Sequence, residues 1–171
     1  MRWDEVSGTD WIIPASRRGK TGTAHTVPLT GTALALLEQA KAEAARLGKR
    51  RKRKPAGFVF EARPGTPVTT AGLGRAVGRF ASALGNLDAD TWGTWSPHDL
   101  RRTCRTRLAA AGIGDTVAEA VIGHTRKGIA AVYDRHKYEI EKRHALGTWE
   151  WCLLSIVKGE VDNVLPMRRN G

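Results

Sequence analysis

The chain has 171 residues, 41% hydrophobic and 26% charged, enough apolar material for one compact core and too much for a disordered or collagen-like chain. Lys and Arg number 28 against 17 Asp and Glu, and the net charge of +11 favours a polyanionic partner, nucleic acid above all. No segment nears the ~20 continuous apolar residues of a membrane span, residues 1–10 carry no signal-peptide pattern, and Cys104 and Cys152 match no zinc or disulfide spacing, so a soluble cytoplasmic protein is expected.

Two short apolar runs, residues 11–14 and 26–29, read as strands. The polar, Gly-rich residues 15–23 between them read as a hairpin connection, and Lys20 lies in it. Thr30 is expected to cap a helix over residues 32–47, with Leu34, Leu37 and Ala44 on one face and Gly48 as its end. Residues 48–55 form a basic run, read as a phosphate-contacting loop, with a merely solvated loop as the alternative. Residues 57–60 are expected to make a brief buried strand or turn. From Thr70 the spacing of Leu73, Val77, Phe80 and Leu84 predicts an amphipathic helix.

The second half reads as almost wholly helical. Ser96-Pro97-His98-Asp99 predicts a helix start, with Ser at the N-cap, Pro at the first position and Asp at the third. That helix is expected to run to Ala111 and stop at Gly112; a shorter one over 116–122 stops at Gly123. Another is expected from near Lys127 into the 140s, broken around residues 133–137, and a last apolar helix over 148–157 carries Trp149, Leu153 and Ile156. The pattern as a whole is mainly α with a small antiparallel sheet, one domain over residues 1–158 and a loose tail over 159–171.

Chemistry concentrates where the second half begins. His98 and Arg101, three apart, share a helix face near an N-terminus, where free N–H groups and the helix dipole favour an anion such as phosphate. The structural alternative is a capped helix with a surface His and Arg. His124 follows a helix-stop glycine, Tyr133 is one of two tyrosines, and Lys20 sits in a polar hairpin; each taken alone is ordinary.

In order, however, Lys20, the Ser96-Pro97-His98-Asp99-Leu100-Arg101 segment, Ile122-Gly123-His124 and Ala131-Val132-Tyr133 resemble the catalytic domain of the tyrosine recombinases, the phage-type integrases. That family places a hairpin lysine before H-x-x-R, L-G-H and a tyrosine nucleophile; Ile122 stands where Leu is usual. The resemblance implies a mainly helical domain with a small antiparallel sheet, and double-stranded DNA as substrate. It implies that Tyr133 attacks a phosphodiester to give a 3′-phosphotyrosyl link and that Arg101 stabilises the five-coordinate phosphorus. Lys20 would protonate the leaving 5′ oxygen, His98 would assist proton transfer, and His124 would hydrogen-bond a phosphate oxygen. No cofactor or metal is implied, because the covalent link keeps the energy of the broken bond.

The family's upstream arginine, in a T-G-x-R-x-x-E segment, has no clear counterpart. Arg2 begins an R-x-x-E, but no Thr-Gly precedes it, and residues 1–4 better resemble the L-R-W-x-D stretch that follows that segment. A partial catalytic domain is therefore expected. Tyr138 is a rival nucleophile, disfavoured by its spacing from His124. The resemblance further implies a homotetramer on DNA, with residues 148–157 either docking on a neighbouring subunit or folding onto their own core, and accessory DNA-bending proteins as possible partners. Competing readings are a non-catalytic DNA-binding module or integrase relic, an RNA-binding domain and a metal-free phosphodiesterase.

Overall fold

The computed structural model describes residues 1–19, 22–52, 57–63, 65–83, 96–124 and 136–160. Among them are helices α1 (Gly31–Arg51), α2 (Thr70–Ala83), α3 (Pro97–Ala110), α4 (Asp115–Val121) and α5 (Glu139–Lys158). The strands are β1 (Val6–Ser7), β2 (Asp10–Ile13), β3 (His25–Pro28), β4 (Glu61–Arg63) and β5 (Thr66–Pro67), in the order β1-β2-β3 and as a separate β4-β5 pair. The architecture is mainly α with two small sheets. The chain divides into two compact units, Met1–Val6 with Ala35–Thr103 and Ser7–Leu34 with Cys104–Gly171.

In the first unit the chain start pairs with residues 57–59. The Trp3 N–H donates to the Gly57 carbonyl at 2.9 Å, the Val59 N–H donates to the Met1 carbonyl at 3.2 Å, and Arg2 bridges Phe58. The Arg2 guanidinium lies 5.0 Å from the centre of the Phe58 ring, a cation–π contact. Only part of the expected buried segment is buried: Val59 is inside, whereas Phe60 is 57% exposed. The β4-β5 hairpin that follows was not expected from the sequence.

Helix α1 presents the predicted face, with Leu37 buried and Leu34 and Ala44 half-buried. It does not stop at Gly48 but continues to Arg51, and Lys52 then takes a left-handed φ of 50°. Gly48 costs the helix about 1 kcal/mol relative to Ala. Lys49 and Arg50 sit at the negative end of the helix dipole, which offsets that cost. The front of the basic run is thus helical, while residues 53–56 lie outside the described residues. Helix α2 forms as predicted, yet its stripe is not core: Leu73 and Phe80 are exposed and Val77 is half-buried, and Leu84 lies outside the described residues.

The second unit holds the larger core. Strands β2 and β3 pair antiparallel, from Asp10 opposite Pro28 to Ile13 opposite His25, as the two apolar runs predict. Leu108 of α3, Ala118 and Val121 of α4 and Ala145 of α5 are buried together, with Cys104, Ile113, Val117, Ile122, Leu146 and Trp149 packed around them. At the end of α3 the Gly112 N–H donates to the Ala109 carbonyl and the Ile113 N–H to the Leu108 carbonyl. This doubled closure needs the left-handed φ of 78° that Gly112 supplies. The stop read from the sequence is therefore correct.

Helix α5 corrects a prediction. The expected separate helix over 148–157 is the second half of one continuous helix from Glu139, which passes through Gly147 without a break. Burial of Ala145 and packing of Leu146 and Trp149 outweigh the poor propensity of a single glycine. Three side chains fasten α5 within the unit. The Lys142 Nζ donates to the Thr26 carbonyl of β3 at 2.7 Å, and the Arg143 Nη2 to Asp10 Oδ1 of β2 at 2.8 Å. The Glu150 carboxylate accepts from the Thr32 N–H at the start of α1. Burial pushes the Lys142 ammonium below the ordinary lysine pKa. Hydrogen bonds from Thr32 hold Glu150 below the ordinary carboxyl value. On the other side of α5, Trp151 and Val157 are exposed.

Candidate functional site

The site begins at the start of α3. Ser96 donates both its backbone N–H, at 2.9 Å, and its hydroxyl, at 2.8 Å, to Asp99 Oδ2, while the Asp99 N–H donates back to the Ser96 carbonyl at 2.9 Å. Arg102 Nη1 reaches Asp99 Oδ1 at 3.1 Å. The predicted cap is present with the side-chain roles exchanged: Asp99, not Ser96, is the accepting side chain. These bonds, the Ser96 N–H foremost, hold the Asp99 carboxyl at about 2, below its ordinary 3.8. His98 is exposed and Arg101 half-buried on the first two turns of this capped helix. Residues three apart on a helix have Cβ atoms roughly 5–6 Å from each other, so both side chains can reach one anion.

A folded-state pKa below the unfolded one means that the Asp99 cap stabilises fully above the ordinary carboxyl range and is lost as pH falls through about 2. A titration followed at the Ser96 and Asp99 amides is therefore expected to have its midpoint near 2. A midpoint at the ordinary 3.8 would show that the cap does not form.

His124 is built differently. At the end of α4 the Gly123 N–H donates to the Ala120 carbonyl and the His124 N–H to the Glu119 carbonyl, so Gly123 takes a left-handed φ of 71° and His124 follows it at a defined angle. Arg18 Nη2 donates to the Gly123 carbonyl at 2.7 Å, and Arg18 Nη1 to the Thr23 carbonyl at 3.3 Å. This ties the connection between β2 and β3 to the His124 turn. The space at Gly123 is tight: a Cβ would lie 3.1 Å from His25 Nε2 and 3.4 Å from Arg18 Nη2. Gly123→Ala combines that crowding with a left-handed backbone and is expected to cost about 1–3 kcal/mol in urea unfolding. A loss below about 0.5 kcal/mol, within the scatter of surface substitutions, would count against this account of the turn.

The His124 ring is also held. Its Nδ1 meets Glu119 Oε2 at 2.5 Å, the other carboxylate oxygen accepts from Arg105 Nε at 2.7 Å, and Arg105 Nη2 reaches Asp115 Oδ1 at 2.7 Å. Arg105 first and His124 second keep the Glu119 carboxyl below its ordinary pKa. Among the described residues no group of three or more His, Cys, Asp or Glu could hold a metal ion, and no helix is long and apolar enough to cross a membrane.

Residues 1–139 match the phage integrase family. The chain belongs to the phage integrase family. It is similar to the prophage integrase IntA of Escherichia coli (strain K12), 33% identical over 153 residues that make up 86% of this chain and 32% of the relative. The chain therefore spans about a third of the length of that curated relative, at 32%. No solved structure matches it.

In this phage integrase family member, His98 and Arg101 lie on α3 in the first unit and His124 lies in the second. Lys20 and Tyr133 lie outside the described residues, as do all of residues 125–135 and the tail from 161. The rival Tyr138 is half-buried at the start of α5, in a left-handed conformation with φ 53°. Its ring stands edge-on to that of His136 at 4.6 Å. Arg2 Nε pairs with Asp4 Oδ1 at 3.2 Å, and the Arg2 backbone N–H donates to Glu5 Oε2 at 2.9 Å. Sequence reasoning missed Arg18, Arg105 and Glu119. Glu119 and His124 are five apart and Arg105 and Glu119 fourteen, so neither pair shares a helix face that periodicity could expose.

Proposed function

We infer that this integrase-family chain carries the DNA breaking-and-rejoining chemistry of a site-specific recombinase, with residues 1–158 acting as one catalytic domain. What carries the reading, within that family membership, is the pairing of His98 and Arg101 on the capped first turns of α3. A helix N-terminus, an imidazole and a guanidinium together suit a phosphodiester.

In this reading the Tyr133 hydroxyl gives up its proton to solvent with the help of His98, and its oxygen bonds to phosphorus. The bond from phosphorus to the 5′ oxygen then breaks, and Lys20 supplies the proton that the 5′ oxygen takes up. Arg101 neutralises the non-bridging oxygens, His98 assists proton transfer and His124 hydrogen-bonds a phosphate oxygen. The 3′-phosphotyrosyl link conserves the bond energy, so attack by a 5′ hydroxyl reverses the step and rejoins strands. Exposed Trp151 and Val157 on α5 suit docking of one subunit on the next in a tetramer on DNA.

The test is incubation of the chain with a pool of nicked DNA duplexes, followed by a denaturing gel. A protein–DNA adduct with free 5′ hydroxyl ends is expected; cleaved ends free of protein would favour a phosphodiesterase and overturn the reading. Non-covalent DNA affinity should fall about a thousandfold or more between 50 and 200 mM salt if at least six phosphates are contacted. A flat salt response would overturn the claim that phosphate contacts dominate binding.

A further inference from the structure

The function above assigns His124 a phosphate contact but leaves open which of its nitrogens makes it. The side chains around the ring decide this. A carboxylate only accepts hydrogen bonds, and the lowered pKa of Glu119 keeps it a carboxylate. Its Oε1 is taken by Arg105 Nε, an obligate donor, at 2.7 Å, and its Oε2 meets His124 Nδ1. Nδ1 must therefore carry a proton. Among the described residues Nε2 has no hydrogen-bond partner, and the His124 side chain is 58% exposed. The same residue fixes the backbone as well, since the His124 N–H donates to the Glu119 carbonyl at 3.0 Å.

The geometry points to Glu119, locked by Arg105, as a positioning residue that makes Nε2 the nitrogen His124 turns toward the DNA phosphate. This deepens the recombinase reading and rests on it. An imidazole placed between the Glu119 carboxylate and a phosphate oxygen carries a proton on both nitrogens and donates one to each, and the carboxylate balances its charge. Arg105 and Asp115 extend the chain of partners, so the carboxylate cannot rotate away without breaking a second ion pair.

A nearly isosteric change separates this role from a merely structural one. Glutamine has a single acceptor oxygen, and Arg105 can only donate. In Glu119→Gln the oxygen therefore goes to Arg105 and the amide N–H₂ faces His124, whose Nδ1 must then accept. The ring proton moves to Nε2, with little change in shape. Adding Arg105→Met frees the amide to turn its oxygen back to the ring.

The experiment reads the ring protons by ¹⁵N–¹H correlation on the full chain, at about pH 8.5, above the ordinary histidine range. His124 is picked out from the five histidines by His124→Gln. We expect the Nδ1–H form in the unmodified chain, the Nε2–H form in Glu119→Gln, and a return to Nδ1–H in the double variant with Arg105→Met. An Nε2–H ring in the unmodified chain, or no change in Glu119→Gln, overturns the assignment. With DNA, Glu119→Gln removes the carboxylate that balances the charge of a ring protonated on both nitrogens, and should slow adduct formation about 10-fold to 100-fold while leaving DNA binding within about twofold. Equal loss of binding and adduct formation would overturn it too. The ring measurement needs no DNA, so an Nδ1–H ring in a chain that forms no adduct would count against the recombinase reading and not against the hold of Glu119.

Discussion

Replacing Tyr133 with phenylalanine is expected to abolish every covalent protein–DNA adduct, while Tyr138→Phe retains them. The phenyl ring keeps the bulk of tyrosine and lacks the oxygen that must bond to phosphorus, so no slower route to the same intermediate remains; nucleophile removal in comparable covalent catalysis costs about 10⁶-fold. Tyr138 is occupied otherwise. Its carbonyl accepts the Lys142 N–H at 2.8 Å and its ring stands edge-on to His136, contacts that phenylalanine also makes. The check is a denaturing gel of each variant with the nicked-duplex pool. An adduct that persists in Tyr133→Phe and vanishes in Tyr138→Phe would move the nucleophile five residues along the chain.

Leu108→Ala should be the most damaging core substitution. Leu108 is fully buried, and its neighbours in the core include Ala118 and Ala145, side chains too short to fill the space a leucine leaves. Such a change removes the transfer free energy of the lost methyl groups and leaves a cavity, together about 2–5 kcal/mol. Against a typical domain stability of about 5–15 kcal/mol this is a large fraction. Urea unfolding of the two chains measures it directly, and a loss under about 1 kcal/mol would mean that the core collapses around the gap.

The parts of the fold that were legible in the sequence are those in which a few adjacent residues set the backbone. The β2-β3 pair follows from two apolar runs about a polar connection, and the α3 start follows from Ser96, Pro97 and Asp99. The ends of α3 and α4 follow from Gly112 and Gly123. The parts that were hidden depend on residues far apart. Glu150 accepts an N–H at the start of α1 from 118 residues away, a partner no local motif announces. The β4-β5 hairpin is polar and exposed, so it lacks the alternation that marks a strand. Gly48 was expected to end α1 and a separate helix was expected from Thr148, yet Gly48 and Gly147 both lie inside helices, because favourable end charge at α1 and core packing at α5 outweigh one residue's propensity.

The candidate site divides in the same way. The residues tied to short motifs, His98, Arg101 and His124, stand out in the sequence. The side chains that hold His124 and its turn do not. Arg105, Glu119 and Arg18 look like surface charge until the closed turn at Gly123 brings them to the imidazole and the adjoining carbonyl.

Helix α4 has seven residues, fewer than the roughly 12–15 that an isolated helix needs to persist in water. Its order comes from burying Ala118 and Val121, not from its own backbone. Its persistence is therefore tied to that packing: whatever loosens the contacts of Ala118 and Val121 loosens the helix. Glu119 lies on this helix and His124 directly follows its closing glycine, so the imidazole inherits the same dependence on the core. While the unit stays folded, the turn at Gly123 and the Glu119 carboxylate hold the ring at its set angle.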